Sequence, residues 1–465
     1  MIAGESVYET DLLVIGGGPG GYHAAFRAAE NGISTTIVEA SGALGGVCLH
    51  CGCIPSKTYL SMAELLHRAR SCGQMGIEFT EPKLDVEKMR AWKHRVVSTL
   101  SGGLDVVCKK KGIRKIKGKA RFEGNNVVAI EDGDVSHITF HRSIIATGSR
   151  PIRLRNIEIE SPRVVDSTGA LDLEDIPETL LVLGGGYIGL ELGQVYANFG
   201  SKVTVVEMLP GLLPGADRDL VRPLARRLKE QFSAICLETK VVGMKEAADG
   251  VEVEFEGKRP PELTKFAKVL VSVGRQPCTD GSDLDKAGVE TDGRGFIKTD
   301  KNFRTTASDI YAIGDVIGDP MLAHKALHEG TVLGDRLAGK DVVFGSRVIP
   351  AVVFTDPEIA WVGITEEQAK AEDRDIVVTK IPWQVSGRAV TLGATLGTTK
   401  LIFDKGTRGL IGMAITGAHA GEMIAEGALA IETGATASDL ASTVHPHPTL
   451  SEMVGEAARM AIEAF

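Results

Sequence analysis

The chain has 465 residues, 43% of them apolar and 24% charged, with 55 glycines and a formal charge of −9. That balance excludes disordered and fibrous classes and suggests about three globular domains. A pI near 5.8, taken with the absence of a basic tract, argues against a nucleic-acid partner. No apolar, uncharged run approaches the roughly 18 residues a membrane span needs. Met1–Ser6 lacks the cationic and apolar regions of a signal peptide, so a cytoplasmic protein is expected.

In chain order, Asp11-Leu-Leu-Val-Ile15 predicts a buried strand ending at Gly16-Gly-Gly-Pro-Gly-Gly21. An Ala-rich helical pattern follows from Tyr22 to Glu30, then a second strand over Thr35–Glu39. The same text returns as Leu180–Leu183, Gly184-Gly-Gly-Tyr-Ile-Gly189, a helix and Lys202–Glu207. In both copies 18 positions separate the last glycine (Gly21, Gly189) from an acidic residue (Glu39, Glu207). Repeated βαβ units with matching spacing predict an α/β protein with two tandem Rossmann-like dinucleotide-binding domains. Gly16 and Gly184 allow the tight turn, Gly18 and Gly186 let backbone approach a pyrophosphate, and Gly21 and Gly189 permit close helix packing. Glu39 and Glu207 would accept from a ribose 2′-OH, and the carboxylate of Glu207 favours NAD over NADP.

Gly45-Gly-Val-Cys-Leu-His-Cys-Gly-Cys-Ile-Pro-Ser-Lys57 holds three of the seven cysteines, Cys48, Cys51 and Cys53. The odd, scattered set is not a secreted disulfide framework. A metal site, a redox site and plain thiols all compete for the cluster. Zinc would need a further ligand pair at a familiar interval, and none follows, so no metal is expected. A Cys48–Cys53 disulfide would have to distort the helix, because five residues on an ideal helix separate Cα atoms by about 8.6 Å. Gly52 and Pro55 would supply that distortion. A thiolate at a helix start is expected to have a lowered pKa. Cys51 reads as a small buried hydrophobe or as a third redox thiol.

Ser143–Gly148 and Lys268–Gly274 read as strands that close a domain and return the chain across a boundary. Ser308–Asp315 is a strand delivering Asp315 at its C-terminal end. Beyond about residue 346, strands at Val352–Phe354 and Lys400–Phe403 alternate with helices, suggesting a separate α+β domain. Near the end, His447 stands between Pro446 and Pro448, where an imidazole can be held rigidly and the following peptide bond can be cis. Glu452 could orient that imidazole, or it could complete a capping box with Thr449 as N-cap. His445 reads as structural. Lys57 and Glu191 fall early in helices, where the default is a solvated surface charge.

Taken together, these segments resemble the pyridine nucleotide–disulfide oxidoreductases over essentially the whole chain. The likeness rests on the cysteine cluster, Gly16–Gly21, Ala146–Gly148, Gly184–Gly189, Ala312–Asp315, Phe354-Thr-Asp-Pro-Glu358 and His445–Glu452. It implies a Cys48–Cys53 redox disulfide served by His447 and Glu452, with Lys57 and Glu191 paired beside a flavin. It further implies FAD held by Gly16, Gly18, Gly21, Glu39, Lys57, Ala120, Thr147, Gly148, Asp315 and Ala323, the last within a helix start, Pro320–Lys325, aimed at the flavin. NAD would lie on Gly184, Gly186, Tyr187, Gly189, Glu207, Val241 and Gly274, with Tyr187 covering the flavin until nicotinamide arrives. The implied domains are FAD-binding (1–150), NAD-binding (151–276), central (277–345) and an α+β dimerisation domain (346–465).

The resemblance is greatest to the branch that reoxidises protein-bound dihydrolipoyl groups with NAD for 2-oxo-acid dehydrogenase complexes or glycine cleavage. It implies a homodimer whose active site is shared between chains, with lipoyl domains and an acyltransferase core as partners. Cys51 departs from the family pattern. The rival readings are a glutathione-type or other disulfide reductase using NAD(P)H, and a non-catalytic docking subunit of a multienzyme complex.

Overall fold

A computed structural model describes residues 7–154, 157, 159–342, 344–345 and 348–465, so the reading of Met1–Ser6 lies outside the described residues. Residues up to 58, 85–152 and 274–345 form one compact unit, and 59–84, 153–273 and 346–465 form a second. In the first unit, the strands Arg114–Lys117, Thr35–Glu39, Val7–Ile15 and His137–Ile145 lie side by side in parallel. Ile310–Ala312 joins in parallel at Ser143–Ile145, while Lys119–Phe122 and Val127–Glu131 add an antiparallel extension. The end of Val7–Ile15, Leu12–Ile15, is apolar without alternation because both of its faces are covered. Leu12 and Val14 pack with Ala24, Ala25, Ala28, Leu333 and Leu337 from the helices Pro19–Glu30 and Ala323–Leu337. Leu13 and Ile15 pack on the other face with Phe122, Val128 and Ile138.

Register then decides where the loops emerge. Ile15 stands opposite Val38 and Ile145, and Ile145 opposite Ala312. Gly16, Glu39, Ala146–Gly148 and Asp315 therefore leave one edge of the sheet, the C-terminal edge where open α/β sheets bind ligands. The two return segments pair with each other, Ser149–Pro151 antiparallel to Arg275–Pro277.

The second unit repeats this plan in the parallel order Ala234–Cys236, Lys202–Val206, Thr179–Leu183, Lys268–Val271, Val164–Asp166. Leu183 stands opposite Val206 and Val271, which again brings Gly184 and Glu207 to a common edge. Its C-terminal part is an antiparallel sheet in the order Ala351–Val353, Glu358–Gly363, Leu410–Gly417, Thr398–Asp404, Ile376–Pro382. The helices Ala420–Thr433 and Glu452–Ala464 pack on it over a core of Trp383, Leu401, Phe403, Ile415, Ile424 and Val454. Both strands expected there are present, as Ala351–Val353 and Thr398–Asp404.

One sequence reading needs correcting. Despite the net charge of −9, residues 109–121 hold eight Lys and Arg. Part of this basic run is paired within the fold. Lys111 pairs with Glu30, Lys115 with Asp105, and Arg121 with Glu131 and Asp283, while Arg114 lies over the Tyr8 ring. Among the described residues, no helix is long and apolar enough to cross a membrane.

Candidate active site

The cysteine cluster occupies two consecutive helices, Gly46–Cys51 and Cys53–Ser71, interrupted at Gly52. Gly52 breaks the helix with φ −142° and ψ −112°, and a Cβ there would lie 2.8 Å from the Val47 carbonyl oxygen. Gly52 thus interrupts the helix between the two cysteines, where a distortion was expected. The pair stands here as thiols, with Cys48 half-buried and Cys53 exposed. The Cys48 thiol is pushed up from its ordinary pKa by its hydrogen bond to Cys53, by burial and by the charge of Cys53, with Lys57 opposing. That reverses the lowered value expected from a helix start, because in a dithiol the second proton must leave beside a neighbouring sulfur charge. The pKa of the Tyr22 hydroxyl is raised by burial and, secondarily, by the charge of Cys48. Cys51 ends the first helix, half-buried.

The first glycine loop at the sheet edge meets the start of this cluster, Gly45 N donating to the Gly17 carbonyl at 2.8 Å. Gly16 has φ +102°, and a Cβ on Gly21 would lie 1.9 Å from the Gly16 oxygen, so protein packing alone demands both glycines. Gly18 is different, since its nearest neighbour would be Gly46 Cα at 3.9 Å. The second fingerprint behaves alike. A Cβ on Gly189 would lie 2.4 Å from the Gly184 oxygen, whereas one on Gly186 meets nothing within 4 Å. Space kept clear where no protein atom needs it is what a pyrophosphate at a helix N-terminus requires.

Thr147 Oγ1 is buried with no hydrogen-bond partner, and Thr147 Cα would lie 3.1 Å from a Cβ on Gly16. This orphaned hydroxyl at the sheet edge fits a ligand such as FAD. Asp315 Oδ2 accepts from Ser149 Oγ at 2.5 Å, and Arg275 Nε donates to the same hydroxyl oxygen at 2.7 Å. Ala323 is the first residue of its helix, and Ala120 lies buried in Lys119–Phe122.

Glu39 and Glu207 play matching roles that the sequence reading missed. Glu39 Oε2 accepts from Gly17 N at 2.7 Å and Oε1 from Ser41 N at 2.9 Å. Glu207 Oε2 accepts from Gly185 N at 2.7 Å and Oε1 from Leu209 N at 2.7 Å. Each carboxylate therefore ties its own glycine loop to the second strand's end. The equal spacing of the two copies was the signal available in the sequence.

Tyr187 opens its helix, Tyr187–Phe199, and is 40% exposed. Val241 lies at a register irregularity of the strand Thr239–Ala247, and Gly274 follows Lys268–Val271 with φ +123°. The surface-charge default fails for Glu191, which is 3% exposed and accepts from Phe354 N at 2.9 Å. Lys57, in contrast, is half-buried near the start of Cys53–Ser71.

In the second unit, the Glu452 carboxylate meets both His447 and Thr449. Its Oε1 lies 2.8 Å from His447 Nδ1, and its Oε2 accepts from Thr449 N at 2.8 Å. The helix Glu452–Ala464 nevertheless starts after Ser451, not Thr449, and Ser451 makes no side-chain cap. Thr449 Oγ1 instead donates to the Pro446 carbonyl at 2.7 Å, so only half of the capping box forms. The Glu452 carboxyl is held below its usual range by the Thr449 amide and by His447. The His447 side chain is 79% exposed, the His447–Pro448 bond is cis, and Nε2 is left on the open side of the ring. His445 is half-buried against Glu426, Nε2 to Oε1 at 2.8 Å.

Comparison with known proteins accords with this architecture. Residues 10–330 match the model of the pyridine nucleotide-disulphide oxidoreductases, and 349–458 match that family's dimerisation domain. A dihydrolipoyl dehydrogenase of Vibrio parahaemolyticus is 46% identical over 454 residues, covering 97% of this chain and 95% of its own. One from Bacillus subtilis is also 46% identical, over 464 residues, covering 99% and 98%. Among solved structures, an HOCl-induced flavoprotein disulfide reductase from Escherichia coli superposes with a TM-score of 0.87 at 30% identity, covering 97% of this chain and 99% of its own. FAD and NAD are the cofactors of such enzymes, and the residues at both sheet edges fit them. Two nucleotide folds, a cysteine pair at a broken helix, a His–Glu dyad and a dimerisation domain converge on one conclusion: this chain belongs to the pyridine nucleotide-disulphide oxidoreductase family.

Proposed function

We propose that this oxidoreductase reoxidises protein-bound dihydrolipoyl groups with NAD⁺ through Cys48 and Cys53. The observation that carries this is the Cys48/Cys53 pair across the Gly52 break, thiols held within hydrogen-bond reach. The near full-length likeness to dihydrolipoyl dehydrogenases supplies the substrate. His447 takes a proton from one substrate thiol while Glu452 holds its ring through Nδ1. The substrate thiolate attacks Cys48 of the Cys48–Cys53 disulfide, the S–S bond breaks, and Cys53 leaves as a thiolate. The second substrate thiol displaces Cys48, so lipoyl disulfide departs and the protein keeps the dithiol. When bound, FAD supplies the two-electron connection between that dithiol and nicotinamide.

Gly16, Gly18, Gly21, Glu39, Lys57, Ala120, Thr147, Gly148, Asp315 and Ala323 hold FAD in this reading. Gly184, Gly186, Tyr187, Gly189, Glu207, Val241 and Gly274 hold NAD, and Glu207 refuses a 2′-phosphate by charge. Lys57 and Glu191 both serve the flavin in this reading. Residues 346–465 form a dimer interface through which one chain's His447 and Glu452 complete its partner's site. The same chain docks on the acyltransferase core and receives lipoyl domains, in the cytoplasm. The test is anaerobic reduction by dihydrolipoamide followed by NAD⁺ or NADP⁺. Rapid reoxidation by NAD⁺ is expected. Preference for NADPH-driven glutathione reduction would favour the disulfide-reductase rival.

A further inference from the structure

The helix Tyr187–Phe199 opens the second fingerprint, so its rotation about its own axis sets the directions of Tyr187 and Glu191. Neither fingerprint nor redox motif includes position 194, yet Gln194 is 2% exposed and fully engaged. Its Oε1 accepts from Asp356 N at 2.7 Å, and its Nε2 donates to the Asp356 carbonyl at 3.0 Å and to Gln231 Oε1 at 2.5 Å. One turn earlier on the same face, Glu191 accepts from Phe354 N. Residues 354 and 356 are alternate positions of the stretch between the strands Ala351–Val353 and Glu358–Gly363. Glu191 and Gln194 thus bind one edge of that backbone as an added strand would. The Asp356 carboxylate is in turn held by Arg227 at 3.3 Å.

A buried amide whose acceptor and both donors are used specifies one arrangement of the groups around it. We propose that Gln194 is a positioning residue: it fixes the Phe354–Asp356 backbone, keeps the Phe354 N–H on the Glu191 carboxylate, and sets the rotation of the helix on which the second nucleotide site is built. The inference rests on the reading of residues 184–207 as the NAD site.

The test compares holoenzymes carrying Gln194→Leu and Gln194→Glu, the latter keeping the acceptor and losing the donors. Hydrogen exchange of the Phe354 and Asp356 amides, stopped-flow flavin reduction by NADH, and flavin reduction by dihydrolipoamide are measured separately. Gln194→Leu is expected to accelerate exchange at both amides and slow NADH-driven reduction roughly tenfold, with dithiol-driven reduction changed less than about twofold. Gln194→Glu falls between it and wild type. Equal losses in both half-reactions, or unchanged NADH reduction despite loosened amides, would overturn the proposal. If the leucine variant does not fold, the glutamate variant decides by the same split. Failure of the wild-type enzyme itself to be reduced by NADH would instead sink the nucleotide-site reading.

Discussion

His447 presents most of its ring outward while Glu452 grips Nδ1, so the imidazole's orientation depends on one carboxylate. That carboxylate is held by the Thr449 amide as well, and the two contacts depress its pKa. A depressed carboxylate keeps its charge at neutral pH, and the pair weakens only as pH falls from the ordinary carboxylate range toward the lowered value. In our reading, His447→Gln slows dithiol oxidation by about 10²- to 10⁴-fold, with a smaller loss for Glu452→Gln, while NADH-driven flavin reduction is retained. Rapid-mixing measurement of the two half-reactions checks this, and equal loss in both would refute the assignment. The His–Glu pairing was open in the residues alone and was implied by the family resemblance. Glu452's second bond to Thr449 N was visible only as a competing capping motif, because a carboxylate has two oxygens and sequence cannot say that both are used.

At the scale of elements, Lys400 joins the C-terminal sheet to the start of the helix Arg218–Gln231. It is fully buried and pairs with Asp217 at 2.6 Å, Glu366 at 2.8 Å and Asp219 at 3.1 Å. Asp217 in turn accepts from the amides of Glu366 and Glu367 at 3.0 and 3.1 Å. Burial would raise the Glu366 and Asp219 carboxyls, but the lysines at 400 and 380 win and hold both below the usual range. Their contribution is therefore present above the ordinary carboxylate range and is lost as pH falls through the lowered values. Lys400→Met leaves a buried acidic group without its cation and should destabilise by about 3–5 kcal/mol. Replacing Asp217 together with Lys400 by apolar residues should cost less than the single change. Denaturant unfolding with bound FAD held constant measures both, and a loss below about 1 kcal/mol for the single variant would contradict it. Nothing in the sequence marked Lys400, since it sits in an apolar strand run and its partners are distant in the chain.

For the whole molecule, Cys48 belongs to one compact unit and His447 to the other, and in our reading different chains of the dimer bring them together. Cys48→Ser and His447→Gln homodimers should each be nearly inactive. Co-expressed, they should yield mixed dimers with one intact site and regained turnover, read as activity of purified heterodimer. Continued inactivity would exclude a shared site. The dimerisation domain matched at 349–458 makes this experiment feasible with the full chain.

The sequence alone determined the two nucleotide folds, because glycines that protein packing demands at Gly16, Gly21, Gly184 and Gly189 recur at fixed spacing beside strands apolar on both faces. It also located the helix break, since Gly52 lies between Cys48 and Cys53 in the chain and its effect on the backbone is local. Tertiary structure decided whatever depends on burial or on distant partners. It buried Glu191 against Phe354, turned Glu39 and Glu207 back onto their own loops, paired Lys111, Lys115 and Arg121 of the basic run with acids and engaged every polar atom of the Gln194 side chain. Those outcomes follow from which surfaces the fold removes from water, a property of three-dimensional packing that residue spacing does not encode.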